Sequence, residues 1–170
     1  IFGTPVAWLP FMAHPDGKVK RKSGFLAPQA SFDSQLGMGI TSNYYWALAP
    51  DHDLTTGAMV MTGEAPVGLA EYRQRFENAN LKVSGSVTHS GYTDSVNGVD
   101  VNRGDRWRGH LFADSRWDVN DKWRAGTSLE LASDDQYLRQ YDFSGKDVLE
   151  NEIYAERFSG RNYAVSRILA

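Results

Sequence analysis

A chain of 170 residues with a net charge of −3 and a pI of about 5.8 offers no basic face for nucleic acid, and 0 cysteines exclude a disulfide framework, a thiolate metal site and a thiol nucleophile. Mean hydropathy is −0.47 and no apolar run approaches the ~20 residues of a membrane-spanning helix, so a helical membrane protein is excluded. A transmembrane β-barrel is not excluded, because strands of ~9–11 residues suffice and half their side chains face a wet interior. The 16 glycines, the 12% aromatic content and the short alternating runs suit an all-β protein, and no stretch holds the helical i, i+3, i+4, i+7 pattern for three turns.

The chain opens at Ile1 without a leader-like segment and reads as a fragment or processed chain. Residues 1–15 place Val6 and Trp8 in alternation but carry Pro5, Pro10 and Pro15, the mark of an edge strand or strap. Residues 16–23 form a polar connector with Lys18, Lys20, Arg21 and Lys22, readable as a solvated linker or as a contact for lipid phosphates, and a domain boundary is placed there. From Gly24 onward the period is two. Leu36, Met38 and Ile40 alternate with polar residues and glycine ahead of Tyr44, Tyr45 and Trp46, and Leu81, Val83 and Val87 share one face of the next clear run. Then Trp107, Gly109, Leu111, Ala113 and Trp117 oppose Arg106, Arg108, His110, Asp114 and Arg116. In the following run Trp123, Ala125, Leu129 and Leu131 oppose Arg124, Ser128 and Glu130.

Tight turns are expected at 50–53, 77–80, 119–121 and 159–161, and long polar loops at 91–105 and 134–147. Sorting of short and long connections to opposite ends is a barrel property, with short periplasmic turns and long outer loops. Trp107 and Trp117 share parity ten residues apart. At about 3.3 Å per residue they stand roughly 33 Å apart, and a tilt of about 40° projects this to about 25 Å, the height between aromatic girdles. A soluble sandwich capped by the same tryptophans remains the competing reading.

No constellation carries catalysis. Asp51-His52-Asp53 on one turn aims poorly at a single ion, His14, His52, His89 and His110 lie in separate segments, and Gly37-Met38-Gly39 lacks the third glycine of a dinucleotide fingerprint. No nucleophile elbow is present, so the expectation is a non-enzyme without metal or cofactor.

Several motifs are more specific. GTPVAWLPFMAHP from Gly3, KRKSGFLAP from Lys20 and NYYWALAPDHDLT from Asn43 follow one another in the first third of the chain, with Asp134 to Tyr141 and GRNY at Gly160 to Tyr163 further on. In this order they resemble the LptD family of lipopolysaccharide-assembly proteins, from the end of a periplasmic β-jellyroll into the start of an outer-membrane barrel. The resemblance implies an antiparallel barrel segment of about nine strands at 24–170, preceded by the jellyroll end at 1–15. It places the chain in a Gram-negative outer membrane with its N-terminal end in the periplasm.

The resemblance further implies lipopolysaccharide translocation and insertion, through a jellyroll groove, the barrel lumen and a lateral gate between first and last strands. The implied partners are lipopolysaccharide, outer-membrane lipids, an LptE-type lipoprotein plugging the lumen and an LptA-type periplasmic bridge protein. Pro28 matches a gate-weakening proline, while Asn43 stands where a second is expected, leaving one seam proline for two. Tyr44, Trp46, Trp107, Trp117 and Trp123 are expected at the membrane interfaces. Arg106, Arg108, Asp114, Arg116 and Glu130 are expected to face the lumen, guiding phosphorylated sugars or pairing with Asp114, Glu130 or neighbouring strands. A general porin or receptor barrel, or a secreted carbohydrate-binding sandwich, is the alternative.

Overall fold

The computed structural model describes residues 21–33, 36–96, 99–146 and 148–170. The jellyroll segment expected at 1–15, and Lys18 and Lys20 of the connector, lie outside the described residues. The elements are β1 (Gly24–Phe25), β2 (Gln29–Asp33), β3 (Gly37–Trp46), β4 (His52–Met61), β5 (Val67–Arg75), β6 (Ala79–Val96), β7 (Val99–Asn120), β8 (Trp123–Ala132), α1 (Asp135–Gln140), β9 (Glu152–Ser159) and β10 (Asn162–Leu169). The strands pair antiparallel in one sheet, in the order β1-β3-β4-β5-β6-β7-β8-β9-β10, with β2 also on β3. Because β1 and β2 share one edge position, about nine strand positions result, as expected. The sheet is open, with β1/β2 at one edge and β10 at the other.

The registers sort the side chains into two faces. Ile40, Val60, Ala58 and Gly68 fall on the same face as Val87, Leu111 and Leu131, since each pair is directly opposed across neighbouring strands or two residues removed. Between the level of Trp107 and that of Trp117 this face carries no Asp, Glu, Lys or Arg among the described residues, and it is bare: Met38, Ile40, Leu111 and Ile153 are exposed, and Trp107 is 72% exposed. The opposite face carries Asp53, Glu71, Arg73, Lys82, Arg108, Asp114, Glu130, Glu152 and Glu156. The face divisions read from the sequence around Trp107 and Trp123 therefore hold.

The core lies on the polar face. Leu36, Met61, Val67, Tyr137, Leu138 and Tyr141 are its buried apolar side chains, with Met59, Leu69, Phe112 and Phe143 packed around them. This corrects the reading of 134–147 as a simple polar loop: its charged residues alternate with aromatics that fold back over β4 to β7. Asp134 caps α1 by accepting from the Tyr137 N–H at 2.9 Å. The helix ends in a Schellman motif, with Phe143 N–H donating to Leu138 O at 2.8 Å and Asp142 N–H to Arg139 O at 3.2 Å, and Asp142 takes φ +56° at the position glycine usually fills.

A second correction concerns the expected loop at 91–105, where 91–96 and 99–105 are strand. β6 and β7 pair out to Val96 and Val99, with a bulge after Gly91 where Gly104 adopts φ +78°. A two-stranded ribbon beyond the sheet needs no apolar face, so its polar composition imitates a loop. The expected tight turns are found. Ser159 and Asn162 pair across Gly160-Arg161, and Gly160 at φ +61° supplies the first central residue of a two-residue hairpin turn. Asn120 Oδ1 closes the β7–β8 turn by accepting from the N–H groups of Lys122 and Trp123 at 2.9 and 3.0 Å.

Candidate functional site

The edge strand is broken at Pro28. Phe25 opposes Tyr44 and Gln29 opposes Thr41, so residues 26–28 of the edge face only 42–43 of β3, one extra residue as in a bulge. Leu26 N–H donates to Asn43 O at 2.9 Å, and Pro28 follows within the break with no N–H to continue the ladder. The two residues singled out for a seam thus meet at one point. Pro28 lies in the gap, and Asn43 stands across from its beginning with its side chain on the polar face above Gly57.

Tyr44 and Tyr45 diverge as adjacent strand residues must. Tyr44 joins the apolar face, edge-on to Phe25 at 4.9 Å and 4.5 Å from Trp46, whose indole N–H donates to Thr56 Oγ1 at 2.9 Å. Tyr45 takes the polar face, where its hydroxyl accepts from Arg21 Nε at 3.0 Å and donates to Asp53 Oδ2 at 3.3 Å. Asp53 is 2% exposed and pairs with Arg21 and, at 2.8 Å, with Arg73 Nε. Arg21 also donates to Pro50 O at 2.8 Å. The connector is therefore bolted to β4 through a buried carboxylate, a contact for which the sequence holds no signal. Asp51 turns away, and its oxygen lies 3.0 Å from His52 Nδ1, a hydrogen bond that holds the Asp51 carboxyl below its ordinary pKa.

The expected interface aromatics occupy one face. Trp46, Trp117 and Trp123 lie toward the end bearing the turns at 47–51, 76–78 and 121–122, with Trp107 toward the other end. Trp123 stacks with the Arg157 guanidinium at 5.7 Å. Arg106, Arg108, Asp114, Arg116 and Glu130 all project from the polar face, and Arg106 and Arg108 reach an acid on the segment that follows β8. Asp134, from the loop, receives Arg108 Nη2 at 2.9 Å and Nε at 3.0 Å, and Arg106 at 3.2 Å. Arg116 reaches Asp118 at 3.4 Å, Asp114 accepts from Ser128 at 2.9 Å, and Glu130 pairs with Lys146 at 2.6 Å.

Arg108 is 2% exposed and also donates to Gln140 Oε1 at 2.7 Å and Gly91 O at 3.1 Å, so one strand arginine grips both ends of α1. Gln140 in turn donates to Glu64 at 3.3 Å. Ser86 Oγ links His110 Nδ1 at 2.7 Å to the Tyr137 hydroxyl at 2.6 Å, and burial raises the Tyr137 pKa. Burial alone would also raise the Asp134 pKa. Hydrogen bonds from Arg108 and Ser133 and the Arg108 charge outweigh it and hold this carboxyl below the ordinary range.

A family model described as LptD, LPS transport system D, matches residues 106–168, the stretch from the gripping arginine through α1 to β10. The LPS-assembly protein LptD of Pseudoalteromonas translucida is 29% identical over 154 residues, covering 91% of this chain and 19% of that protein. Its counterpart in Hahella chejuensis is 31% identical over 155 residues, covering 90% and 19%. The chain belongs to the LptD family. The Haemophilus influenzae LptD is 30% identical over 146 residues, covering 84% of this chain and 17% of its own length, so the chain spans about a fifth of the curated relatives it matches. The matched region of this LptD-family segment includes the whole Arg108–Asp134–α1 arrangement.

Proposed function

We propose that the chain is the N-terminal part of an outer-membrane β-barrel that moves lipopolysaccharide to the outer leaflet, with its apolar face toward lipid and its polar face toward the lumen. The relatives' name, LPS-assembly protein, supplies the substrate. The observation that carries the reading is the edge strand interrupted at Pro28 on a sheet whose apolar face is uncovered. A bare apolar face suits hydrocarbon, and a strand edge with a missing donor pairs weakly with a neighbour, as a seam that opens sideways must. Asn43 in place of a second proline retains one more backbone donor and makes this seam tighter than a two-proline seam.

The end with short turns, where Arg21 is tied to Asp53, faces the periplasm, where a jellyroll that ends ahead of the connector delivers the substrate. An LptA-type bridge feeds that jellyroll and an LptE-type lipoprotein occupies the lumen. Lipopolysaccharide crosses without covalent change, its sugars along the polar face and its acyl chains leaving through the seam. Photocrosslinking from positions 28 and 45 of the full-length protein in cells tests this. Lipopolysaccharide adducts at these positions are expected, and their absence at both sites would overturn it. In addition, Pro28→Ala restores one ladder donor and should slow lipopolysaccharide delivery and increase detergent sensitivity; unchanged behaviour in both respects refutes the role of Pro28.

A further inference from the structure

A trough crosses the polar face from β3 to β7, beginning beside the broken edge strand. Asn43 lies at its near end, Thr55, Glu71 and Ser84 along it, and Phe112 and Phe143 at its far wall, an open depression of about 270 Å³. The far wall is a slab of rings: His110 stands 4.5 Å from Phe112 and 4.4 Å from Phe143. Phe143 is held there by the Schellman closure of α1. Gly57 keeps the near end low, since a Cβ at that position would lie 2.6 Å from Ser42 O and collide with the Asn43 amide. Asn43, Thr55 and Ser84 make no side-chain hydrogen bond to other described residues, so their donors and acceptors are available to a ligand.

The chemistry of the lining selects among ligands. It contains no Lys or Arg, and its one carboxylate, Glu71, already engages the adjacent Lys82 at 3.1 Å and Arg73 at 3.7 Å, so a phosphate would have to compete with Glu71 for both cations. An acyl chain would cover an amide and two hydroxyls without replacing their hydrogen bonds, at a cost of roughly 1–3 kcal/mol for each group left buried. A pyranose ring satisfies both constraints: its C–H face packs on the aromatic slab while its hydroxyls bond in both directions with Asn43, Thr55 and Ser84. We propose that this trough is a saccharide subsite that holds an uncharged sugar ring of the substrate just before the seam. The proposal rests on the reading of the polar face as the lipopolysaccharide path.

The test is binding of deacylated, dephosphorylated lipopolysaccharide core oligosaccharide to the full-length protein in detergent, followed by saturation-transfer NMR and calorimetry. Phe143→Ala removes the aromatic wall and Ser84→Phe fills the trough. Each should weaken the oligosaccharide about tenfold, the change expected when a stacking anchor is lost, whereas Arg161→Ala at the β9–β10 turn should not. Unchanged affinity in both trough variants overturns the subsite, and so does binding that requires the phosphates or the acyl chains. Failure of the transport reading is distinguishable: wild-type protein would then lack lipopolysaccharide crosslinks at both positions 28 and 45 whatever the oligosaccharide result.

Discussion

Removing the Asp134 carboxylate is the sharpest perturbation of this sheet. The side chains of Arg108 and Asp134 are 1% and 6% exposed, and they meet at 2.9 and 3.0 Å. Breaking a buried pair from one side typically costs about 3–5 kcal/mol because the surviving charge stays buried. Here Arg108 keeps neutral acceptors in Gln140 and Gly91, so the lower end, about 3 kcal/mol, applies to Asp134→Ala, with loss of the α1 cap included. Asp134→Asn retains a capping oxygen and should be milder by up to about 1 kcal/mol. The cost falls on the docking of 134–146 rather than on the strand ladder, so hydrogen–deuterium exchange of the full-length protein in detergent is the assay. At 1.4 kcal/mol per tenfold, amides of Tyr137 to Phe143 should exchange on the order of 100-fold faster in Asp134→Ala. Pairing it with Arg108→Met, which removes the stranded charge, should recover much of the loss. Exchange within about threefold of wild type in Asp134→Ala would refute the claim that this ion pair holds the loop down.

Other perturbations follow from the same contacts. Because the Asp134 pKa is depressed in the folded state, its contribution is complete above the unfolded value of about 3.9 and disappears as pH falls through the lower folded value. Protection of α1 should therefore be flat from pH 7 to about 5 and fall only below about 4; loss near pH 6 would contradict the assignment. Leu111 sits midway between Trp107 and Trp117 on the bare face, so Leu111→Arg should cost about 2–4 kcal/mol of barrel stability in a bilayer, read as a lower urea midpoint. The same substitution would be nearly neutral if that face were solvated. Asp142→Gly relieves a left-handed residue at the helix end and should slow exchange of the α1 amides, by a stabilisation of about 0.5 kcal/mol; faster exchange would refute the strain at φ +56°.

Much of the sheet was legible because its information is local. Alternation in WRGHLFADSRW and WRAGTSLEL set the faces of β7 and β8, and the short turns were marked by Asn120 and Gly160, whose roles depend on neighbouring backbone alone. Pro28 and Asn43 could be singled out as residues, but their meeting across one break in the ladder depends on the β1–β3 and β2–β3 registers. The misread segments share a cause. Residues 91–105 and 134–147 are polar in composition, yet one is a hydrogen-bonded ribbon and the other supplies three of the buried core residues, Tyr137, Leu138 and Tyr141. Composition records side-chain polarity and cannot show where a loop docks.

The sequence by itself determined an antiparallel all-β chain with segregated faces and resembling the LptD family, because strand parity and short motifs are properties of neighbouring residues. Only the tertiary structure decided which acid Arg106 and Arg108 meet, how Asp53 anchors Arg21, that Tyr45 rather than Tyr44 joins the polar face, and that Phe143 closes a trough beginning at Asn43. Those partners lie 8 to 100 residues apart in the chain, and the pairing of strands and the fold-back of α1 alone bring them together.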